Sequence, residues 1–188
     1  MENQFALEKQ NALTKTDKSH EQKWDKKIVA LCNKINESPN YFTTSSCAGR
    51  ITLIKNSSKK VPNIFLYKTH TKTKKEEIQK PINTENQTIY FRQEPCALHV
   101  ACKSLEDAIN LLKLAKQAGW KRSGIFSSNK SKFICELTST EWIVAPLVIN
   151  NELLVDKKYI EILVEEANIK LEKTWEKIER LEKMITHL

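Results

Sequence analysis

Residues 43–50, with the sequence TTSSCAGR, place seven small residues before an arginine in a chain that has only three glycines. Small side chains let backbone N–H groups approach a ligand closely, and Gly49 permits backbone angles that other residues avoid. The hydroxyls of Ser45 and Ser46 donate and accept hydrogen bonds, and the guanidinium of Arg50 is a planar donor suited to phosphate or carboxylate. We therefore predict a loop at the head of a strand that cradles an anion or a polar ligand.

Two other interpretations of this segment stay open. Ser and Thr are common in ordinary turns, so the segment could simply lead into the strand that follows it. Cys47 is favoured as a small residue lining a pocket, although a thiolate beside Arg50 would have a lowered pKa and could act as a nucleophile. A metal site built from Cys47, His99 and Cys102 is not predicted, because residues three apart on a strand lie on opposite faces.

Other polar residues stand beside predicted strands and join the candidate site. His99 lies within the apolar run Ala97–Cys102, Ser123 and Gly124 precede another strand, and Ser139 and Thr140 follow the next one. The sequence contains no Gly-rich dinucleotide motif, no P-loop and no HExxH metal motif. The spacing therefore predicts no nucleotide-cofactor fold.

A basic run over residues 69–80 indicates a polyanionic partner. It contains His70, Lys72, Lys74 and Lys75, and the whole chain of 188 residues has a formal net charge of +8. An excess of cations favours nucleic acid, although a solvated lysine-rich surface would have the same composition. Arg122, Ser123 and Gly124 are added to these lysines as predicted RNA-binding residues.

The cysteine pattern and the hydropathy indicate a soluble cytoplasmic protein. Five widely separated cysteines without a CxxC pair argue for reduced thiols rather than a disulfide framework. No apolar run approaches the roughly 20 residues that span a bilayer, and the N-terminus resembles no signal peptide. We expect neither a membrane partner nor a metal, and the sequence does not give the oligomeric state.

The periodicity predicts an α+β fold in a single domain over residues 1–188. Apolar residues at helical spacing predict helices over residues 21–37, 104–118 and 157–187, and residues 1–20 are expected to be loosely ordered. About six short strands, with hairpins, are expected between the helices in a mixed or antiparallel sheet (51–54, 63–68, 88–92, 97–102, 125–126 with 133–137, and 142–149). Without alternation of strand and helix, this arrangement is not a Rossmann fold.

These segments, taken in order, resemble a known family. They are TTSSCAGR, Pro-x-x-Leu-His-Val-x-Cys from Pro95, Gly-Trp-x-x-Ser-Gly-Ile from Gly119, and Ser-Thr-x5-Pro-Leu from Ser139, followed by Ala-Asn-x-Lys from Ala167. The ordered set is similar to the third enzyme family of wybutosine biosynthesis. The resemblance runs from about Phe5 to the C-terminus.

The resemblance implies an S-adenosylmethionine-dependent tRNA methyltransferase without the usual Rossmann fold. Such an enzyme would methylate the N4 ring nitrogen of the tricyclic, guanosine-derived base at position 37 of phenylalanine tRNA, beside the anticodon. Carried over by residue, it implies cofactor binding by Ser45, Ser46, Cys47, Gly49, Arg50, Ser139 and Thr140. It also implies His99 or His70 as the general base, since imidazole has an ordinary pKa of about 6.5.

The chain departs from the family pattern at Thr138, where the family often has an arginine. If that arginine contacts an anion, Arg122 or Arg50 would have to replace it. Tyr41, Phe42 and Trp120 are candidates for holding a splayed base, and each would also suit the core. The alternative function is a tRNA-binding module without chemistry.

Overall fold

The computed structural model describes residues 2–14, 25–56, 64–82 and 88–185. Its elements are α1 (Glu2–Thr14), α2 (Val29–Glu37), β1 (Tyr41–Cys47), β2 (Arg50–Lys55), β3 (Phe65–Thr69), α3 (Lys75–Gln79), β4 (Ile89–Glu94), β5 (Ala97–Cys102), α4 (Leu105–Gln117), β6 (Gly124–Ser128), β7 (Phe133–Thr138), β8 (Ile143–Ile149), β9 (Glu152–Leu153) and α5 (Lys157–Met184). The strands form one sheet in the order β1-β5-β7-β6 and a second in the order β3-β2-β4-β8-β9. Every strand pair is antiparallel.

The chain divides into two compact units, each containing one of the sheets. Unit 1 comprises Met1–Ala48, Cys96–Thr140 and Thr174–Leu188, and unit 2 comprises Gly49–Pro95 and Glu141–Lys173. The first boundary falls between Ala48 and Gly49, within the TTSSCAGR segment. The expectation of a single domain over residues 1–188 stays a prediction.

Unit 1 packs helices against one face of the first sheet. Buried residues of α2, α4 and the last part of α5 form one apolar cluster with the inward residues of β5 and β7. Helix α4 begins at a capping box, in which Ser104 Oγ accepts from the Asp107 N–H at 3.1 Å and Asp107 Oδ2 accepts from the Ser104 N–H at 2.9 Å. The helix is followed by Gly119 at φ +100°, a left-handed backbone conformation that glycine adopts without a Cβ penalty.

Helix α1 covers part of the opposite face of the first sheet. Phe5 is only 2% exposed and packs with Phe42 of β1 and Ala101 of β5. Lys132, from the β6–β7 turn, forms an ion pair with Glu8. The hydrogen bond from Lys132 lowers the pKa of the Glu8 carboxyl below its usual range. Residues 2–14 are therefore an ordered helix, and residues 15–20 lie outside the described part of the chain.

In unit 2, the central strands of the second sheet alternate between an apolar and a polar face. Ile51 and Leu53 of β2 and Phe91 of β4 are fully buried on one face. The segment after β3 is fixed to α5 by two hydrogen bonds between Thr73 and Asn168. Thr73 N–H donates to Asn168 Oδ1 at 3.0 Å, and Asn168 Nδ2 donates to the Thr73 carbonyl at 2.9 Å.

The α+β class predicted from the sequence is confirmed, and the antiparallel sheets exclude a Rossmann topology. The central strand Ala97–Cys102 has the predicted bounds, and Pro146 lies beside a register shift between β4 and β8, where its missing N–H is tolerated. The described residues contain nine strands in two sheets, where about six in one sheet were expected. The second helix begins at Val29, after a turn from residue 26, and residues 21–24 lie outside the described ranges.

The expected loop over residues 43–50 is wrong, because residues 41–47 form strand β1. This stretch of Ser and Thr has no apolar alternation, so its sequence gives no strand signal. Its strand conformation comes from backbone pairing with β5, which runs from Tyr41 opposite Cys102 to Cys47 opposite Ala97. Only the turn at Ala48 and Gly49 remains outside a strand.

None of the helices in the described part of the chain is long and apolar enough to cross a membrane.

Replacing Phe5 with Ala should release α1 from the first sheet. Truncating a buried phenylalanine typically costs about 3–5 kcal/mol, which exceeds what the surface contacts of one short helix supply. Amide hydrogen exchange should therefore accelerate throughout residues 2–14. Leu7→Ala is the matched control, because Leu7 is 56% exposed on the same helix. Equal exchange in both variants would show that Phe5 does not anchor α1.

Candidate active site

The outer face of the first sheet, opposite the helices of the unit 1 core, carries a row of four polar or small residues. Ser45 of β1 lies opposite His99 of β5, His99 opposite Glu136 of β7, and Glu136 opposite Gly124 of β6. Cross-strand partners point to the same face, so Ser45, His99 and Glu136 stand side by side. Three residues predicted from separate segments, namely Ser45, His99 and Gly124, are thus brought into one row.

A second row of small residues lies next to the first on the same face. Cys47 is opposite Ala97, and Ala97 is opposite Thr138. Each is two residues along its strand from the His99 row, a separation of about 7 Å. Short side chains in this row leave room beside His99.

Ser139 directly follows Thr138 of this row in the chain, one residue beyond the end of β7. Its backbone N–H donates to the Cys96 carbonyl at 3.3 Å, and its side chain is fully buried. Its Oγ has no hydrogen-bond partner among the residues that the structure describes. An unpaired buried hydroxyl costs about 1–3 kcal/mol, which marks Ser139 as a position where a polar ligand group would be accommodated. The neighbouring Thr140 Oγ1 accepts from Lys177 Nζ of α5 at 2.9 Å.

His99 is oriented by a carboxylate and by an aromatic ring. Its Nε2 lies 3.3 Å from Glu136 Oε1, and its ring stacks on Phe126 with centroids 5.5 Å apart and an interplanar angle of 18°. In the tautomer that carries its proton on Nε2, His99 donates to Glu136 and Nδ1 is the nitrogen that can accept a proton. Phe126 is 66% exposed, which is unusual for so large an apolar side chain.

Two residues of the site, Glu136 and Lys177, are not predicted by the sequence patterns. Glu136 stands between Cys135 and Leu137, both of which are buried in the core. A carboxylate at the outward position of an otherwise apolar strand is the signal that could have identified it. Lys177 lies on the charged face of a long helix and carries no comparable signal.

The core side of the sheet holds Ser46 and the buried cysteines, whereas Cys47 lies on the outer face. Ser46 lies opposite Leu98, and its hydroxyl contacts the thiol of Cys32, whose pKa burial raises to about 12. Cys102 and Cys135 are buried on this side with their sulfur atoms 3.8 Å apart. His99 and Cys102 thus occupy opposite faces of β5, as strand periodicity predicted. The cofactor role of Ser46 stays a prediction that its core contact does not favour.

The segment before β6 contributes one structural residue and one exposed cation. Ser123 Oγ donates to the Trp120 carbonyl at 2.6 Å and accepts from the Thr138 N–H at 3.1 Å, so its hydroxyl is used within the fold. The Arg122 N–H donates to the Thr138 carbonyl at 3.2 Å, and its side chain is exposed. The exposed arginine therefore lies beside Thr138, where the family pattern often has an arginine.

Unit 2 contains the remaining predicted residues. Gly49 has φ +91°, which L residues rarely adopt, and its carbonyl lies 3.2 Å from His70 Nδ1. Arg50 forms an ion pair with Glu94, and its guanidinium lies over the Phe65 ring at 5.5 Å. A cofactor carboxylate would therefore compete with Glu94 for Arg50.

The predicted RNA-binding lysines of unit 2 are largely surface groups. Lys72 and Lys75 form ion pairs with Glu172 and Glu161 of α5, and Lys74 is exposed. Exposed ion pairs contribute at most about 1 kcal/mol, so these lysines remain able to exchange a carboxylate for a phosphate. Their RNA-binding role stays a prediction.

The three aromatics proposed to hold a splayed base are core residues. Tyr41 and Phe42 are each 2% exposed and Trp120 is fully buried, with its Nε1 donating to the Lys177 carbonyl at 3.1 Å. Their prediction as base-binding residues rests only on their position beside polar motifs in the sequence. Burial depends instead on what packs over each ring: Tyr41 and Trp120 join the cluster formed with the helices, Phe5 of α1 covers Phe42, and Phe126 stays exposed.

The fold and this site define a class of protein: an α+β protein with two antiparallel sheets and a histidine–carboxylate pair beside a row of small and hydroxyl residues. The family model described as Methyltransferase TYW3 matches residues 4–187, and the chain belongs to this methyltransferase family. The resemblance that the sequence motifs indicated is thereby confirmed.

Individual relatives agree with this assignment. The chain is 39% identical over 191 residues to the tRNA(Phe) 7-((3-amino-3-carboxypropyl)-4-demethylwyosine(37)-N(4))-methyltransferase of Thermococcus sibiricus, covering 100% of this chain and 97% of that protein. It is 36% identical over 181 residues to the tRNA wybutosine-synthesizing protein 3 homolog of Xenopus laevis, covering 94% and 72%. The solved structure of the PH1069 protein from Pyrococcus horikoshii superposes with a TM-score of 0.88 at 33% identity, covering 100% and 98%.

Ser139→Ala and Ser123→Ala should have opposite effects on stability. Removing the unpaired Ser139 hydroxyl should leave the thermal unfolding midpoint unchanged or raise it, since a desolvated and unsatisfied group is lost. Removing the Ser123 hydroxyl breaks two hydrogen bonds and should lower the unfolding free energy by about 1 kcal/mol or more. Comparable destabilisation by Ser139→Ala would mean that its hydroxyl has a partner in the folded protein.

Proposed function

We propose that this protein transfers a methyl group from S-adenosylmethionine to the N4 ring nitrogen of the tricyclic base at position 37 of phenylalanine tRNA. Membership of the methyltransferase family supports the reaction class, and the names of its relatives support the substrate. The observation that carries the proposal at residue level is the His99–Glu136 pair beside the Cys47–Ala97–Thr138 row.

The residues around Ser139 fit the polar groups of the cofactor. S-adenosylmethionine presents a carboxylate, an ammonium and ribose hydroxyls, all of which require hydrogen-bond partners. Ser139 Oγ is a buried polar atom that lacks a partner in the described part of the chain, and the adjacent row has short side chains. We assign cofactor binding to Ser139 and Thr140, with Ser45 and Cys47 lining the site on β1.

His99 serves as the general base in this proposal. The bound cofactor supplies an electrophilic methyl group on a sulfonium centre. Glu136 accepts from Nε2 of His99, so that Nδ1 takes the proton released by the acceptor nitrogen. The strands on both sides of His99 fix its position, and pre-positioned groups can supply about 7–11 kcal/mol of a reaction barrier.

Phe126 is the exposed aromatic best placed to contact the target base. It stacks on His99, whereas Tyr41, Phe42 and Trp120 beside the other motif segments are buried. Unpaired RNA bases commonly stack on such side chains. Arg122 is exposed beside Thr138, and the net charge of +8 would favour approach of the tRNA.

Calorimetric titration with S-adenosylmethionine, with and without precursor phenylalanine tRNA, tests the cofactor site. Ser139→Ala should weaken binding about five- to tenfold, the loss expected for one hydrogen bond. Ser128→Ala is the matched control, because Ser128 is an exposed serine of β6. Arg50→Ala tests the alternative that the cofactor carboxylate pairs with Arg50 in place of Glu94. The absence of cofactor binding by the wild-type protein would instead favour a tRNA-binding module without chemistry.

His99→Gln should lower the single-turnover rate of methyl transfer by about 10²–10⁴-fold and leave tRNA affinity unchanged. Glutamine keeps a polar side chain of similar reach but accepts no proton near neutral pH. His70→Gln provides the comparison, because His70 is the other candidate base. If His70→Gln reduces the rate and His99→Gln does not, the base is His70. Cys47→Ser should retain activity, and its inactivity would favour thiol-dependent chemistry.

A further inference from the structure

The second sheet carries a row of basic and hydroxyl residues that the site on the first sheet does not involve. Thr52 of β2 is the cross-strand partner of Lys68 on β3 and of Arg92 on β4. The three side chains therefore project from the same face, with neighbouring Cβ atoms about 5 Å apart. Their strand neighbours Ile51, Leu53 and Phe91 are buried on the opposite face. We call these three residues the Lys68–Thr52–Arg92 row.

Two polar atoms of this row lack partners. Thr52 is 0% exposed, and its Oγ1 has no hydrogen-bond partner within the described ranges. The Nε atom of Arg92 is also buried and also has no hydrogen-bond partner there. A hydroxyl and a guanidinium N–H on adjacent strands, with the exposed Lys68 alongside, form a donor set. Such a set matches a phosphate, whose oxygens accept several charge-assisted hydrogen bonds at once.

Aromatic side chains share this face with the cations. The Arg50 guanidinium lies 5.5 Å from the Phe65 ring, and the Arg92 guanidinium lies 6.0 Å from the Tyr90 ring. Phe65 is substantially exposed, and Trp142, just before β8, is also exposed. Cations interleaved with exposed rings are typical of surfaces that bind single-stranded nucleic acid, where phosphates contact cations and bases stack on rings.

We propose that the Lys68–Thr52–Arg92 row binds a backbone phosphate of the single-stranded anticodon loop of the substrate tRNA, with Phe65 and Trp142 available for stacking. This inference rests on the proposed tRNA substrate and adds a binding surface for it. Charge complementarity favours RNA over a protein or lipid partner. Thr52 Oγ1 and Arg92 Nε lack partners within the described residues, the row contains two cations, and Glu94 is already paired with Arg50. Thr52 Oγ1 and the Arg92 guanidinium donate to the phosphate oxygens.

Binding of a fluorescent anticodon stem-loop, measured over a range of salt concentrations, tests the row. Thr52→Val keeps the side-chain shape and removes an unpaired hydroxyl, so it should fold at least as well as wild type and bind the RNA several-fold more weakly. Arg92→Gln should weaken binding about tenfold or more and reduce the salt slope by about one. Arg92→Lys keeps the positive charge, so the salt dependence of binding should be unchanged. The affinity for the stem-loop should fall, because lysine lacks the planar set of donors of arginine. Lys113→Gln, at an exposed lysine of α4, controls for the change in net charge.

The outcomes separate this inference from the proposed function. If both Thr52→Val and Arg92→Gln bind the stem-loop with wild-type affinity and wild-type salt dependence, the proposal that the row binds RNA is wrong, whether or not the wild type methylates tRNA. If the wild type binds the stem-loop through the row but methylates no precursor tRNA, the RNA-binding role of the row is supported and the catalytic proposal fails. If the wild-type protein binds inorganic phosphate but not the stem-loop, the row is not an RNA-binding site.

Discussion

The pairing of β5 with β1 on one side and β7 on the other is the constraint on which the candidate site depends. Antiparallel pairing fixes which residues stand opposite each other, and the alternation of the strand fixes which face they occupy. Because His99 is opposite both Ser45 and Glu136, three distant segments meet on one face. A shift of one residue in either pairing would place His99 and its partner in that pairing on opposite faces of the sheet.

The same alternation places the candidate catalytic residue of β5 and the core residues of β5 on opposite faces of the sheet. Leu98 and Val100 of β5 face a core built on α2, α4 and α5, while His99 between them faces outwards. The buried face makes the register costly to change, because a slip would expose several apolar side chains and bury an imidazole. The rigidity that a general base requires is thus supplied by the packing of the opposite face.

Unsatisfied polar atoms connect stability to binding in both units. Most buried polar groups in proteins have hydrogen-bond partners. The hydroxyls of Ser139 and Thr52, which have none in the described part of the chain, are exceptions that reduce stability. A ligand that supplies the missing partner recovers this free energy on binding. Ser139 lies next to the small-residue row of the first sheet, and Thr52 lies between two cations of the second. The two sites therefore suit ligands of different chemistry.

The sequence by itself determined the α+β class, the central strand Ala97–Cys102, the capped helix after Ser104, the long final helix and the family. These follow from local patterns, namely apolar periodicity, capping residues and an ordered set of motifs. Tertiary structure decided that residues 41–47 are a strand, because backbone pairing with β5 overrides a Ser/Thr-rich sequence. It also decided that Glu136 accompanies His99, because the register between β5 and β7 depends on contacts between separate strands. Trp120 is buried because it packs in the core with segments far apart in the chain.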